Sequence, residues 1–97
     1  MLENYEVRQR RRITLFVCSS CAACNPAVPL VQAWVTDHPG LVLEITRVFQ
    51  QPEQIVRLGI TCAPAVAVDG ELVAQNAPAE TLIDRLQAYL EVQGTSS

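Results

Sequence analysis

The order of apolar and polar positions divides the chain into seven segments. Residues 13–17 (ITLFV) are apolar almost throughout, as in a strand buried on both faces. In residues 27–38, Ala27, Leu30, Val31, Trp34, Val35 and His38 recur at the i, i+3, i+4, i+7 spacing of one helical face, and Pro39-Gly40 stops that helix. Residues 41–46 (LVLEIT) predict a second buried strand, with Glu44 marking an edge or solvent-facing position. Gln51-Pro52-Glu53 opens a short helix, with proline at its first position and an acid in its first turn, and Gly59 supplies a left-handed cap. Residues 65–68 (AVAV) predict a third strand, Asp69-Gly70 a two-residue hairpin turn and residues 71–74 the returning strand. Pro78 opens a final helix carrying Leu82, Ile83, Leu86 and Leu90 on one face, and Gly94 closes it.

The resulting order is β-α-β-α-β-β-α. A helix between strands 1 and 2 implies a parallel pair with a right-handed crossover, and strands 3 and 4 form an antiparallel hairpin. The expected fold class is therefore α/β, a mixed four-stranded sheet with helices on both faces. The 97 residues suffice for one domain. We expect a basic N-terminal arm at 1–12, the folded domain at 13–92 and a short tail at 93–97.

Composition narrows the function. With 49% hydrophobic and 18% charged residues, the chain is neither disordered nor fibrous. Residues 1–12 carry four Arg and two Glu, whereas the rest carries three Arg and eight acids, for a net charge of −3. No aromatic cluster accompanies the run RQRRR to stack on bases, and it reads as a solvated arm. No nucleic acid is expected as partner. No apolar run reaches the length of a secretory or membrane-spanning segment, so no membrane partner is expected and the expected location is cytoplasmic. In a reducing compartment, clustered cysteines are more often catalytic or metal-binding than structural.

Three of the four cysteines, Cys18, Cys21 and Cys24, fall within seven consecutive residues. Cys21-Ala22-Ala23-Cys24 is a C-x-x-C just after a strand and near the start of a helix, which in a βαβ setting points to a redox dithiol. Two intervening residues let both sulfurs meet across one turn. The unpaired N–H groups and dipole of a helix N-terminus stabilise a thiolate. One alternative is a metal site. Cys18, Cys21 and Cys24 form C-x2-C-x2-C, to which Cys62 could add a fourth thiolate for zinc or an iron–sulfur cluster. The iron–sulfur pattern continues with x3-C-P, where this chain has Val28-Pro29, and zinc sites usually pair two C-x-x-C units while Cys62 stands alone. A redox-inactive interaction module is the third reading. Cys18 and Cys62 read as small buried core residues or as accessory thiols of a second disulfide, and four cysteines allow three pairings. Asn25-Pro26 forms a good cap and first-position pair; a helix beginning there would turn the cysteine cluster into a loop. His38, at the far end of its helix, and Trp34, a core anchor, are assigned no chemistry.

The strand–C-x-x-C–helix arrangement, Ala63-Pro64-Ala65 entering a strand and the Asp69-Gly70 hairpin together resemble the thioredoxin-fold superfamily, in particular its small glutaredoxin-sized members. The resemblance covers about residues 13–91. It implies a thiol–disulfide oxidoreductase with Cys21 as nucleophile and Cys24 as resolving thiol. It also implies a cis-proline at Pro64 that, with Ala63, seats the substrate. Such a protein needs no organic cofactor or metal. Its partners are a protein or small-molecule disulfide, with a reductase or low-molecular-weight thiol as electron donor. The chain departs from thioredoxins in having Ser20 before the first cysteine and Ala22-Ala23 between the two, where thioredoxins usually carry Trp and Gly-Pro. Its first strand also lacks the buried carboxylate of that family.

Overall fold

The computed structural model describes residues 11–18 and 24–95. Among the described residues, four strands and three α-helices follow in the expected order: β1 (Arg11–Val17), α1 (Cys24–Thr36), β2 (Leu41–Arg47), α2 (Pro52–Leu58), β3 (Ala65–Val68), β4 (Glu71–Gln75) and α3 (Ala79–Thr95). A single 3-10 turn, Val48–Gln50, links β2 to α2. The sheet order is β2-β1-β3-β4. β1 pairs with β2 in parallel, Val17 beside Arg47, and with β3 antiparallel, Phe16 beside Ala65. The mixed four-stranded α/β architecture is thus as expected.

Strand alternation explains how helices cover both faces. Ile13, Leu15, Val66 and Val68 point to one side, where they pack with Val31 and Val35 of α1 and Leu82 and Leu86 of α3. Phe16, Ala65 and Ala67 point to the other side and pack with Ile60, with Ile55 and Leu58 of α2 against them. β1 and β3 are buried on both faces because they are the central strands.

Several boundaries and burials differ from the sequence reading. β2 is an edge strand with no fully buried residue, so the expectation of a second buried strand is corrected. One neighbouring strand, with α1 lying over only one face, cannot cover it. Glu44 is exposed on that edge, as expected. The buried stripe of α1 is Cys24, Ala27, Val31 and Val35, and Leu30, one residue off that stripe, is 45% exposed. α1 ends at Thr36, so His38 lies beyond the helix; its Nδ1 is 2.6 Å from the Trp34 carbonyl and its ring packs on the indole at 4.5 Å.

The chain punctuation acts largely as anticipated. Gly59 caps α2 at φ 77°, with its N–H reaching back to the Val56 carbonyl. Asp69 (φ 51°) and Gly70 (φ 87°) both adopt the left-handed conformation of a tight hairpin turn. Gly94, by contrast, does not end the last helix, which continues to Thr95.

β1 begins at Arg11, inside the stretch assigned to a basic arm. Two arginines of that stretch are built into the sheet. Arg11 Nε donates to an Asp69 carboxylate oxygen, and the Arg12 N–H donates to the other at 2.9 Å. No helix among the described residues is long and apolar enough to cross a membrane.

Candidate functional site

The parallel pairing of β1 and β2 brings both C-terminal ends to the same edge of the sheet, where ligands of open α/β sheets generally bind. β3 runs antiparallel to β1, so the residues entering it, Ala63 and Pro64, reach that edge as well. Three independent chain segments therefore converge: the end of β1 with Cys18, the start of α1 with Cys24, and the loop carrying Cys62, Ala63 and Pro64.

Cys24 is helical, which overturns the reading of a helix beginning only at Asn25-Pro26. Its side chain is 2% exposed, and its Sγ accepts a hydrogen bond from the Cys18 backbone N–H at 3.3 Å. An N–H donor aimed at sulfur favours the thiolate form over the thiol. Pro29 lies inside the helix and has no N–H, which deprives the Asn25 carbonyl of its helical donor close to the cysteines. Cys21, expected as the nucleophile, lies outside the described residues.

The Ala63–Pro64 peptide bond is cis. Pro64 is fully buried and Ala63 half-buried. The Pro64 carbonyl accepts from the Asn76 N–H at 3.0 Å, which ties the loop to the end of β4.

Gln75 holds the rest of that loop. Its Oε1 accepts from the Thr61 N–H at 2.7 Å, the Thr61 hydroxyl at 3.2 Å and the Cys62 N–H at 3.3 Å, while its Nε2 donates to the Gly59 carbonyl at 3.2 Å. One amide side chain thereby pairs two N–H groups and one carbonyl of the backbone leading to Pro64. The sequence offered no signal for this role, because the partners lie 13 to 16 residues away.

The accessory cysteines are not core residues. Cys18 is half-buried and Cys62 is an exposed free thiol beside the loop, so the reading of either as a fully buried hydrophobe is corrected. Among the described residues, no three of His, Cys, Asp and Glu come together as a metal site.

On the β2 side of β1, an open cleft of about 380 Å³ is lined by Val17, Cys18, Cys24, Asn25, Val28, Ile45 and Arg47. Arg47 was not singled out from the sequence. The available signal was its place at the C-terminal end of a strand parallel to β1.

A family model described as a thioredoxin domain matches residues 11–87. No curated protein matches the sequence. Among solved structures, the chain resembles the germline-specific thioredoxin Deadhead of Drosophila melanogaster (TM-score 0.70, 16% identity, covering 92% of this chain and 89% of that one). It also resembles thioredoxin 1 of Thermosipho africanus (TM-score 0.66, 19% identity, 86% and 98% covered) and thioredoxin of Trypanosoma brucei brucei (0.67, 12%, 93% and 83%). At these identities the structural likeness speaks to the fold.

Proposed function

Since the chain belongs to the thioredoxin-domain family, we propose that it is a thiol–disulfide oxidoreductase whose working dithiol is Cys21 and Cys24. The observation that carries this reading is the placement of Cys24. It sits in the first described turn of α1, at the edge of the sheet where the cis Ala63–Pro64 bond also lies, with a backbone N–H directed at its sulfur.

The exchange proceeds in two balanced steps. The Cys21 thiolate attacks one sulfur of a substrate disulfide. The substrate S–S bond breaks, one substrate thiolate leaves, and a mixed disulfide forms on Cys21. The Cys24 thiolate then attacks the Cys21 sulfur and expels the second substrate thiolate. Two electrons have passed to the substrate, and the Cys21–Cys24 disulfide is returned to the dithiol by a reductase or a low-molecular-weight thiol. In this reading Ala63 and Pro64, at the sheet edge that also carries Cys24, seat an extended substrate backbone.

In place of the buried carboxylate of thioredoxins, Leu15 and its neighbours in β1 present only apolar side chains to the α1 face. The Cys18 N–H donates to the Cys24 sulfur on that face. Substitution separates the two roles. Cys21→Ser abolishes disulfide reduction, whereas Cys24→Ser accumulates a stable mixed disulfide with substrate, seen by intact mass. Full reductase activity in Cys21→Ser protein contradicts the assignment.

A further inference from the structure

The cleft between β2 and the start of α1 lies across β1 from Pro64 and is not needed to explain exchange with an extended peptide. Its lining is divided by chemistry. Val17, Val28 and Ile45 form an apolar wall, Cys18 and Cys24 stand at one side, and Arg47 is the one charged side chain among the described lining residues. Leu43, Ile45 and Arg47 alternate onto the α1 face of β2, whereas Glu44 and Thr46 point to the opposite face, where Glu44 neighbours Arg12 at 3.9 Å. The nearest acid on the strand is thus turned away from Arg47. Arg47 takes part in no ion pair among the described residues.

A cleft of about 380 Å³ falls in the usual range for small-molecule sites, roughly 300–1,000 Å³. A guanidinium presents a planar fork of donors that matches a carboxylate. Arg47, at the end of the edge strand beside Val17, lines the same cleft as Cys18 and Cys24.

Resting on the dithiol reading above, we propose that this cleft selects low-molecular-weight disulfides that carry a carboxylate. Arg47 holds the carboxylate and the apolar wall takes the carbon chain, so that the substrate sulfurs lie towards the cysteine end. Arg47 is then a specificity-determining residue.

The test compares turnover of dianionic dithiodiglycolate with that of neutral hydroxyethyl disulfide. Wild-type protein prefers the dianion in kcat/KM. Arg47→Gln lowers the dianion-to-neutral ratio about tenfold, chiefly through KM, and Arg47→Glu lowers it further, as loss and then reversal of a charge-assisted contact require. Arg57→Gln, which removes an exposed arginine from α2, leaves the ratio at its wild-type value. An equal ratio in wild type and Arg47→Gln overturns the proposal.

Turnover of neither disulfide by wild type would count against the dithiol reading instead. The cleft is then decided by titrating thiodiglycolate, a sulfide that cannot exchange, against ¹⁵N-labelled protein. Shifts at the Val17, Cys18 and Ile45 amides that vanish in Arg47→Gln support the site. No shift in wild type rejects it.

Discussion

At Asp69 a turn and a charge pair draw on the same side chain. Its backbone takes the left-handed conformation of the hairpin, and its carboxylate receives the Arg12 N–H and the Arg11 guanidinium. Burial pushes the carboxyl up. The Arg12 N–H, the Arg11 bond and the two arginine charges together outweigh that effect and hold it below its ordinary value of 3.8. A carboxylate with a depressed folded-state pKa adds stability that is complete above its unfolded value and is lost as pH falls through the folded one. Asp69→Asn keeps a residue that tolerates the left-handed turn. It should therefore lower Tm at pH 7 by a few degrees while removing part of the fall in Tm that wild type shows below about pH 4. Identical Tm–pH curves for the two proteins would contradict the ion-pair role. Gln75 is the second residue whose role is long-range. Gln75→Leu strands the Thr61 and Cys62 N–H groups and the Gly59 carbonyl. With net hydrogen-bond values of about 0.5–1.5 kcal/mol each, a loss of about 1–2 kcal/mol is expected after allowance for solvent access. Faster amide exchange at Thr61 and Cys62 than at the far end of β3 would report it.

Among the elements, those with a local signature were legible in the sequence. The apolar run of β1, the Asp-Gly turn and the Gly59 cap each follow from short-range rules, and each is where those rules place it. What was not legible depends on neighbours. LVLEIT reads as a buried strand because its composition is apolar, yet its exposure is decided by the sheet order, which makes it an edge. Leu30 fits a helical spacing rule, yet the buried stripe runs through Ala27 and Val31 instead. Arg11 and Arg12 read as arm residues because basic runs are usually solvated, and only their pairing with Leu41 and Val42 of β2 shows them to be part of β1. Gly59 gives an element-scale prediction. Nothing lies within 4 Å of a Cβ built there, so Gly59→Ala introduces no clash, and the left-handed φ of 77° alone should cost about 1–2 kcal/mol. A thermal or urea unfolding curve measures this, and an unchanged midpoint would contradict the cap.

For the whole molecule, one sheet serves two purposes. Its interior is filled from both faces, which fixes β1 and β3, while the ends of those strands carry the site. Leu82 is fully buried where α3 meets β1, β3 and α1. Leu82→Ala should cost about 2–5 kcal/mol in unfolding free energy. As this core lies between the strands and helices that hold Cys24 and Pro64, the lost stability should be accompanied by loss of protection across all four strands together. The central claim concerns the pairing of cysteines, and mapping by alkylation and mass spectrometry after equilibration across a graded thiol–disulfide buffer tests it most directly. The account predicts that Cys21 and Cys24 lose reactivity together in a single two-electron transition, while Cys62 stays alkylatable through that transition. Cys21 and Cys24 remaining separately titratable at every potential, or pairing instead with Cys18 and Cys62, would contradict it.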